Sequence, residues 1–167
     1  MTRTASHVVD QARAVLDLLA DKGWTIATCE SLTGGLLAAA LIDPPGASTV
    51  VRGGLVTYAT DLKATLADVP DDLLAAKGAV SSAVALAMAD GSRVRCGADV
   101  GVATTGVAGP DPVGSVPVGT AWVAVCWPGG FQAQRALHPG DRAAVRAATV
   151  EMALGLVASC LGSSPAR

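Results

Sequence analysis

Aromatic side chains are almost missing from this chain, whose 167 residues hold one Phe, one Tyr and three Trp. A core of stacked rings is therefore excluded, and the interior has to be built mainly from Ala, Val and Leu. Tyr58 is the sole phenol on offer for any role. Histidine is just as scarce. His7 opens the first amphipathic stretch and reads as a surface residue, and His138, in His138-Pro139-Gly140, reads as a loop residue rather than a base, so a Ser-His triad is not indicated. The four cysteines, Cys29, Cys96, Cys126 and Cys160, are dispersed without a CxxC pair, which argues against a zinc cluster or a redox motif. They are expected as reduced core thiols of a cytoplasmic protein, with no metal site and no cofactor. There is no GxxxxGK[ST] and no GxGxxG after the first strand, which sets aside the common nucleotide loops. The formal charge is −2 with no run of one sign, so neither a nucleic-acid footprint nor a polybasic membrane patch is expected. The N-terminus lacks an apolar segment after Arg3, and no uncharged apolar stretch is long enough to span a bilayer, so a soluble, unexported chain is expected. Residues 1–161 are expected to form one domain and 162–167 a flexible tail.

Half of the residues are apolar, enough for a full core, and their spacing orders the chain. From Ser6 to Lys22 apolar residues recur at helical spacing, with Gly23 placed as a stop. Trp24–Thr28 reads as a short buried strand and Leu36–Ile42 as a helix ended by Asp43-Pro44-Pro45-Gly46. Val50–Tyr58 reads as a second strand whose Gly53-Gly54 pair marks a bulge or a close approach. Short helices are expected around Leu62–Leu66, with Asp61 as cap, and around Asp71–Ala76. Ser81 caps a longer helix to about Cys96, with Val84, Ala85, Met88, Ala89 and Val94 inward and Gly91 as a weak spot. Val100–Thr105 is a buried-type strand, and Gly106–Pro117 is a long Gly/Pro loop of the kind that is usually functional or mobile. Pro128-Gly129-Gly130 joins Val118–Trp127 to Phe131–Leu137 as a hairpin, and Asp141 opens a last helix to Leu161. Alternation early and a hairpin late predict an α/β fold, a three-layer α/β/α sandwich on a mixed sheet of about five strands.

The chain is organised around Thr28-Cys29-Glu30-Ser31-Leu32-Thr33-Gly34-Gly35, a polar octet between a strand and a helix. Such a junction presents Ser31 at a strand end, and the first N–H groups of the helix, expected to be unpaired, offer an anion or oxyanion site. The same residues also fit a structural junction, with Ser31 or Thr33 as N-cap and Gly34-Gly35 allowing close packing.

Several blocks together carry a resemblance. Glu30-Ser31-Leu32-Thr33-Gly34-Gly35, Gly53-Gly54-Leu55-Val56-Thr57-Tyr58 with Lys63 five residues on, Gly78-Ala79-Val80-Ser81, Thr105-Gly106-Val107-Ala108-Gly109-Pro110 and Pro117-Val118-Gly119-Thr120 resemble, in order and spacing, the CinA C-terminal family, over nearly the whole chain. That family includes the nicotinamide-nucleotide amidohydrolases. The resemblance implies hydrolysis of the carboxamide of nicotinamide mononucleotide to nicotinate mononucleotide and ammonia, without a metal. It places the serine nucleophile on Ser31, the lysine on Lys63, the tyrosine on Tyr58, the threonine of the glycine-rich block on Thr105, and substrate arginines on Arg142 and Arg146. Leu32, where the family commonly has cysteine, and Cys29, in place of a small residue, depart from its pattern without touching that chemistry. The resemblance extends to the C-terminal part of full-length CinA proteins and not to their larger N-terminal domain, so the stand-alone form is expected.

Amide hydrolysis needs a nucleophile, a base, an acid for the departing ammonia and donors for the oxyanion. Ser31 can attack and a neutral Lys63 can take its proton, with Tyr58 as relay or anchor for the amine. At an ordinary pKa near 10.4 only about one lysine in two thousand is neutral at pH 7, so the site has to lower that pKa. Backbone N–H groups at Thr33, Gly34 and Gly35, or at Gly53 and Gly54, are candidate oxyanion and substrate contacts, joined by Thr105, Gly106, Arg142 and Arg146. The expected partner is a small nucleotide substrate. The competing readings are a non-catalytic nucleotide-binding or regulatory module of the same fold, and a structural homo-oligomer, which the Ala/Val-rich helices permit.

Overall fold

Period-2 and period-3.6 patterns alternate along the chain, and the computed structural model, which describes residues 3–162 with side chains from His7 onward, turns them into eleven principal elements in the expected order. These are α1 (Arg3–Lys22), β1 (Ile26–Glu30), α2 (Leu36–Ile42), β2 (Val51–Val56), α3 (Thr60–Ala67), α4 (Asp71–Lys77), α5 (Ser82–Arg95), β3 (Val100–Gly106), β4 (Thr120–Trp127), β5 (Gly130–Leu137) and α6 (Arg142–Gly162). The tail expected at 162–167 lies, apart from Gly162 in α6, outside the described residues.

The sheet has the order β2-β1-β3-β4-β5. β1 is parallel to both β2 and β3, and β4 and β5 add antiparallel ribbons. β1 is buried along its whole length and β3 along all but its last residue, as strands covered on both faces must be. One face carries α1, α2 and α6, where Val15, Leu19, Leu37, Leu41, Leu154 and Val157 meet Ile26, Val102 and Val123. The other carries α3, α4 and α5, where Val84, Met88 and Ala89 meet Cys29, Ala103 and Ala124. This is the expected three-layer mixed α/β sandwich.

The glycines in β2 act as expected of a bulge. The β1–β2 register shifts so that Ile26 faces Val51 while Ala27 faces Gly53. A Cβ on Gly54 would overlap Thr28 Oγ1, so Gly54 lets β2 approach β1. Gly91 is also a contact rather than a weak spot, because a Cβ there would overlap the carbonyl oxygen of Ala67 at the end of α3.

Two expectations in this half of the chain are corrected. Val94 is 59 % exposed, because the buried face of α5 runs Val84, Met88, Ser92 and Val94 falls on the opposite side of the helical wheel. Asp61 lies in the first turn of α3, whose N-cap is Ala59, with no side-chain cap. Ser81 does cap α5, accepting the Val84 N–H at 3.4 Å. α6 is long and apolar enough, by length and composition, to cross a bilayer, yet nine of its residues, from Val145 to Leu161, are buried in the fold.

Candidate active site

β1 runs two residues beyond its expected end, to Glu30, which places Ser31 at the carboxyl edge of the sheet. The chain runs from β1 to β2 on one side and returns to β3 on the other, so Ser31 sits where the strand order reverses, the position where open α/β sheets bind ligands. The Ser31 N–H donates to the Thr104 carbonyl at 2.9 Å, which fixes the serine against β3.

Lys63 enters from α3 and is 1 % exposed. Its amine lies 3.1 Å from Ser31 Oγ and donates to the Thr57 carbonyl at 2.8 Å. An ammonium has three N–H donors, and these two oxygens are its partners among the described residues; neither is charged. Burial pushes the lysine pKa down, since the charged form loses its hydration. The Cys29 thiolate would oppose that shift, but burial holds the Cys29 thiol at about 11, so at neutral pH the thiol is uncharged and the opposition vanishes. The Thr57 carbonyl can only accept, so it binds one amine hydrogen and leaves the lone pair of a neutral Lys63 free to face the serine hydroxyl.

Ser31 and Lys63 floor a cleft of about 300 Å³ whose walls include Leu32, Tyr58, Thr105, Gly106, Asp111 and Arg142. Gly106 admits no Cβ, which would overlap the backbone carbonyl oxygen of Thr120. Thr105 Oγ1 donates to the Ala79 carbonyl at 2.7 Å, tying the β3 end to the segment before α5. At the mouth, the exposed Arg142 guanidinium donates to the Gly109 carbonyl at 2.7 Å and to the Tyr58 hydroxyl at 2.9 Å. Two larger surface clefts, at the β4–β5 hairpin and beside Asp43–Ala47, contain neither Ser31 nor Lys63.

Other candidates are placed elsewhere. Tyr58 is 60 % exposed and its hydroxyl is engaged by Arg142, not by the Lys63 amine, so the expected proton relay is not formed. Gly53 and Gly54 belong to the β1–β2 contact and do not line the cleft. Thr33 is fully buried and bonded to Thr104 at 2.7 Å, and it does not cap α2. The N-cap of α2 is Gly35, with φ of 97°. The α2 N–H groups expected to be unpaired are taken by Glu30, whose carboxylate accepts from Gly35, Leu37 and Ala38 at 2.9, 3.0 and 2.8 Å. The Gly34 N–H goes to the Ser31 carbonyl. Arg146 does not line the cleft and donates to the Leu32 and Thr33 carbonyls, both at 2.9 Å.

Sequence reasoning gave no part to Glu30, to the Thr57 carbonyl or to the cleft wall at Asp111. A signal for Glu30 existed. A carboxylate between a buried strand and a helix with no acid in its first turn has those free N–H groups as its nearest partners. Among the described residues, no three His, Cys, Asp or Glu side chains converge as a metal site.

The fold and the cleft define a class: a three-layer α/β protein that presents a serine and a sealed lysine at the carboxyl ends of its parallel strands. The chain belongs to the CinA C-terminal domain family, whose model matches residues 9–161. It is 50 % identical over 151 residues to a CinA-like protein of Frankia casuarinae, covering 90 % of this chain and 35 % of that protein. It is 46 % identical over 161 residues to a CinA-like protein of Mycobacterium sp., covering 93 % and 36 %. The chain thus spans about a third of the length of these curated relatives. Among solved structures, the competence damage-inducible protein A of Klebsiella pneumoniae superposes with a TM-score of 0.90 at 33 % identity, covering 93 % of this chain and 97 % of that one. The competence/damage inducible protein CihA of Agrobacterium tumefaciens gives a TM-score of 0.89 at 35 % identity, covering 94 % and 96 %.

Proposed function

We propose that the chain is a cytoplasmic amidohydrolase that converts nicotinamide mononucleotide to nicotinate mononucleotide and ammonia, with Ser31 as nucleophile and Lys63 as general base and acid. The observation that carries this reading is the Lys63 amine, buried with no counter-charge among the described residues and 3.1 Å from Ser31 Oγ. A binding module has no use for so costly a lysine, whereas a base needs the lowered pKa that burial supplies.

In this reaction Ser31 Oγ adds to the carboxamide carbon and its proton passes to Lys63 Nζ. As the C–N bond breaks, Lys63 hands that proton to the leaving nitrogen, and ammonia departs. Water then attacks the acyl ester, giving its proton to Lys63. The ester C–O bond breaks to release the carboxylic acid, and the proton returns to Ser31. The 5′-phosphate is assigned to Arg142, whose present acceptors are neutral, so a phosphate would replace them with stronger charge-assisted bonds. Thr105, Gly106 and Tyr58 line the space left for the ribose and ring.

The test is release of ammonium from nicotinamide mononucleotide, with the nucleotide product identified alongside. Turnover supports the reading. Tight binding of the nucleotide without release would instead establish the non-catalytic module.

A further inference from the structure

Glu30 and Arg146 both lie beside Ser31, yet neither lines the cleft. Glu30 directly precedes Ser31 and is fully buried, with its carboxylate spent on the Gly35, Leu37 and Ala38 N–H groups and, at 3.4 Å, on the Thr28 hydroxyl. Arg146, one turn beyond Arg142 in α6, reaches back to the Leu32 and Thr33 carbonyls through Nε and Nη2. The buried Glu30 carboxylate thus binds N–H groups at the end of the turn and the start of α2, and the half-buried Arg146 guanidinium binds C=O groups of the same turn. Each charge meets the backbone polarity that stabilises it, through bonds stronger than neutral ones.

We propose that Glu30 and Arg146 are positioning residues that clamp the backbone of residues 32–38 from opposite polarities and thereby hold the Ser31 hydroxyl against Lys63. The proposal rests on the reading of Ser31 as nucleophile. Arg146 is accordingly not a phosphate ligand. The clamp also decides which amides remain for the oxyanion. Gly34 and Gly35 N–H are committed to the Ser31 carbonyl and to Glu30, while the Leu32 and Thr33 N–H groups have no hydrogen-bond partner among the described residues. The C=O and N–H of one peptide unit point in opposite directions, so drawing the Leu32 carbonyl to Arg146 turns the Thr33 N–H away from that guanidinium.

The experiment compares the parent with Arg146→Ala, Arg146→Lys and Glu30→Gln in two assays. One is steady-state hydrolysis of nicotinamide mononucleotide. The other is the rate at which a fluorophosphonate probe labels Ser31, read by intact mass, which depends on the serine and not on the substrate. Arg146→Ala is expected to lower kcat and labelling together by about 100-fold, the usual cost of a nucleophile misplaced by an ångström, while KM stays within about threefold. Arg146→Lys should recover part of the loss, since one ammonium can still bind one carbonyl, and it carries the test if the alanine variant does not fold. Glu30→Gln should slow labelling in the same direction. Labelling within about threefold of the parent in the Arg146 variants, or a KM raised tenfold or more with labelling intact, would overturn the proposal. A parent that is labelled at Ser31 but releases no ammonium would refute the proposed substrate alone, and the labelling comparison would still decide the clamp. A parent that resists labelling altogether overturns the clamp, which requires a Ser31 hydroxyl held ready to react, and leaves the substrate to be judged by ammonium release.

Discussion

Replacing Lys63 with methionine exposes the titration that the proposed chemistry requires. The side chain is sealed from solvent beside two neutral oxygens, and a thioether of similar length fills that space without a proton. The substitution loses two hydrogen bonds, each worth about 1 kcal/mol, and removes the cost of burying an amine that can charge. The sign of the pH effect follows from the lowered pKa of the folded state. Below that lowered value both folded and unfolded chains carry the proton, and the folded parent bears the full burial penalty. Between it and the unfolded value near 10.4 only the unfolded chain is protonated, so the parent gains stability as pH rises, by about 1.4 kcal/mol per pH unit. For a chain of this size that slope corresponds to roughly 3–5 °C of Tm per pH unit. The methionine variant lacks the slope, and groups common to both chains cancel in the difference. Cys29 does not confound the window, because its thiol stays protonated up to about 11. The assay is thermal melting of both chains from pH 6 to 10 in matched buffers, beside the parent's rate constant at low substrate over the same range. The advantage of the variant should shrink as pH rises, and the rate constant should climb through the same pKa. Parallel melting curves across the range would mean that Lys63 titrates as an ordinary lysine in the folded protein, and the general-base assignment would fall.

Lys63→Arg is expected to be inactive and clearly less stable than the parent, because a guanidinium cannot deprotonate and would find two neutral acceptors in a sealed site; substantial activity with the parent's pH profile would show that another group takes the proton. Arg142→Ala should raise KM for the nucleotide at least tenfold and much less for the phosphate-free riboside, and equal losses would make Arg142 structural. Gly54→Ala should cost about 1–3 kcal/mol in urea unfolding because its Cβ would overlap Thr28 Oγ1, and combining it with Thr28→Ala should cost less than the two changes added; strict additivity would show that the contact does not set the cost.

The order of elements was legible because each strand and helix carries its own hydrophobic period and its breakers are strong, as at Asp43-Pro44-Pro45-Gly46 and Pro128-Gly129-Gly130. The cleft was legible in part. Ser31, Lys63, Tyr58, Thr105, Gly106 and Arg142 do line one space, although strand, helix and loop separate them along the chain. Roles that depend on the direction of a bond were not legible. Arg142 and Arg146 stand four residues apart on one helix and look equivalent in sequence, but one turn of α6 separates a guanidinium at the cleft mouth from a half-buried one bound to the carbonyls of the serine turn. Glu30 was hidden for a related reason. Its partners are main-chain N–H groups five to eight residues on, and such groups leave no mark in the identity of the residues that carry them. The paired glycines of β2 suggested a ligand or a backbone approach, and only the parallel pairing with Thr28 selects the second.

The proposed attack of the Ser31 hydroxyl on a carboxamide can be caught by rapid-quench mass spectrometry of the protein mixed with nicotinamide mononucleotide. The parent should transiently gain the mass of the nucleotide acyl group on the peptide bearing Ser31, in step with the first ammonium released. Ser31→Ala should show neither the adduct nor the ammonium while melting close to the parent. Ammonium release by Ser31→Ala within tenfold of the parent would contradict that attack.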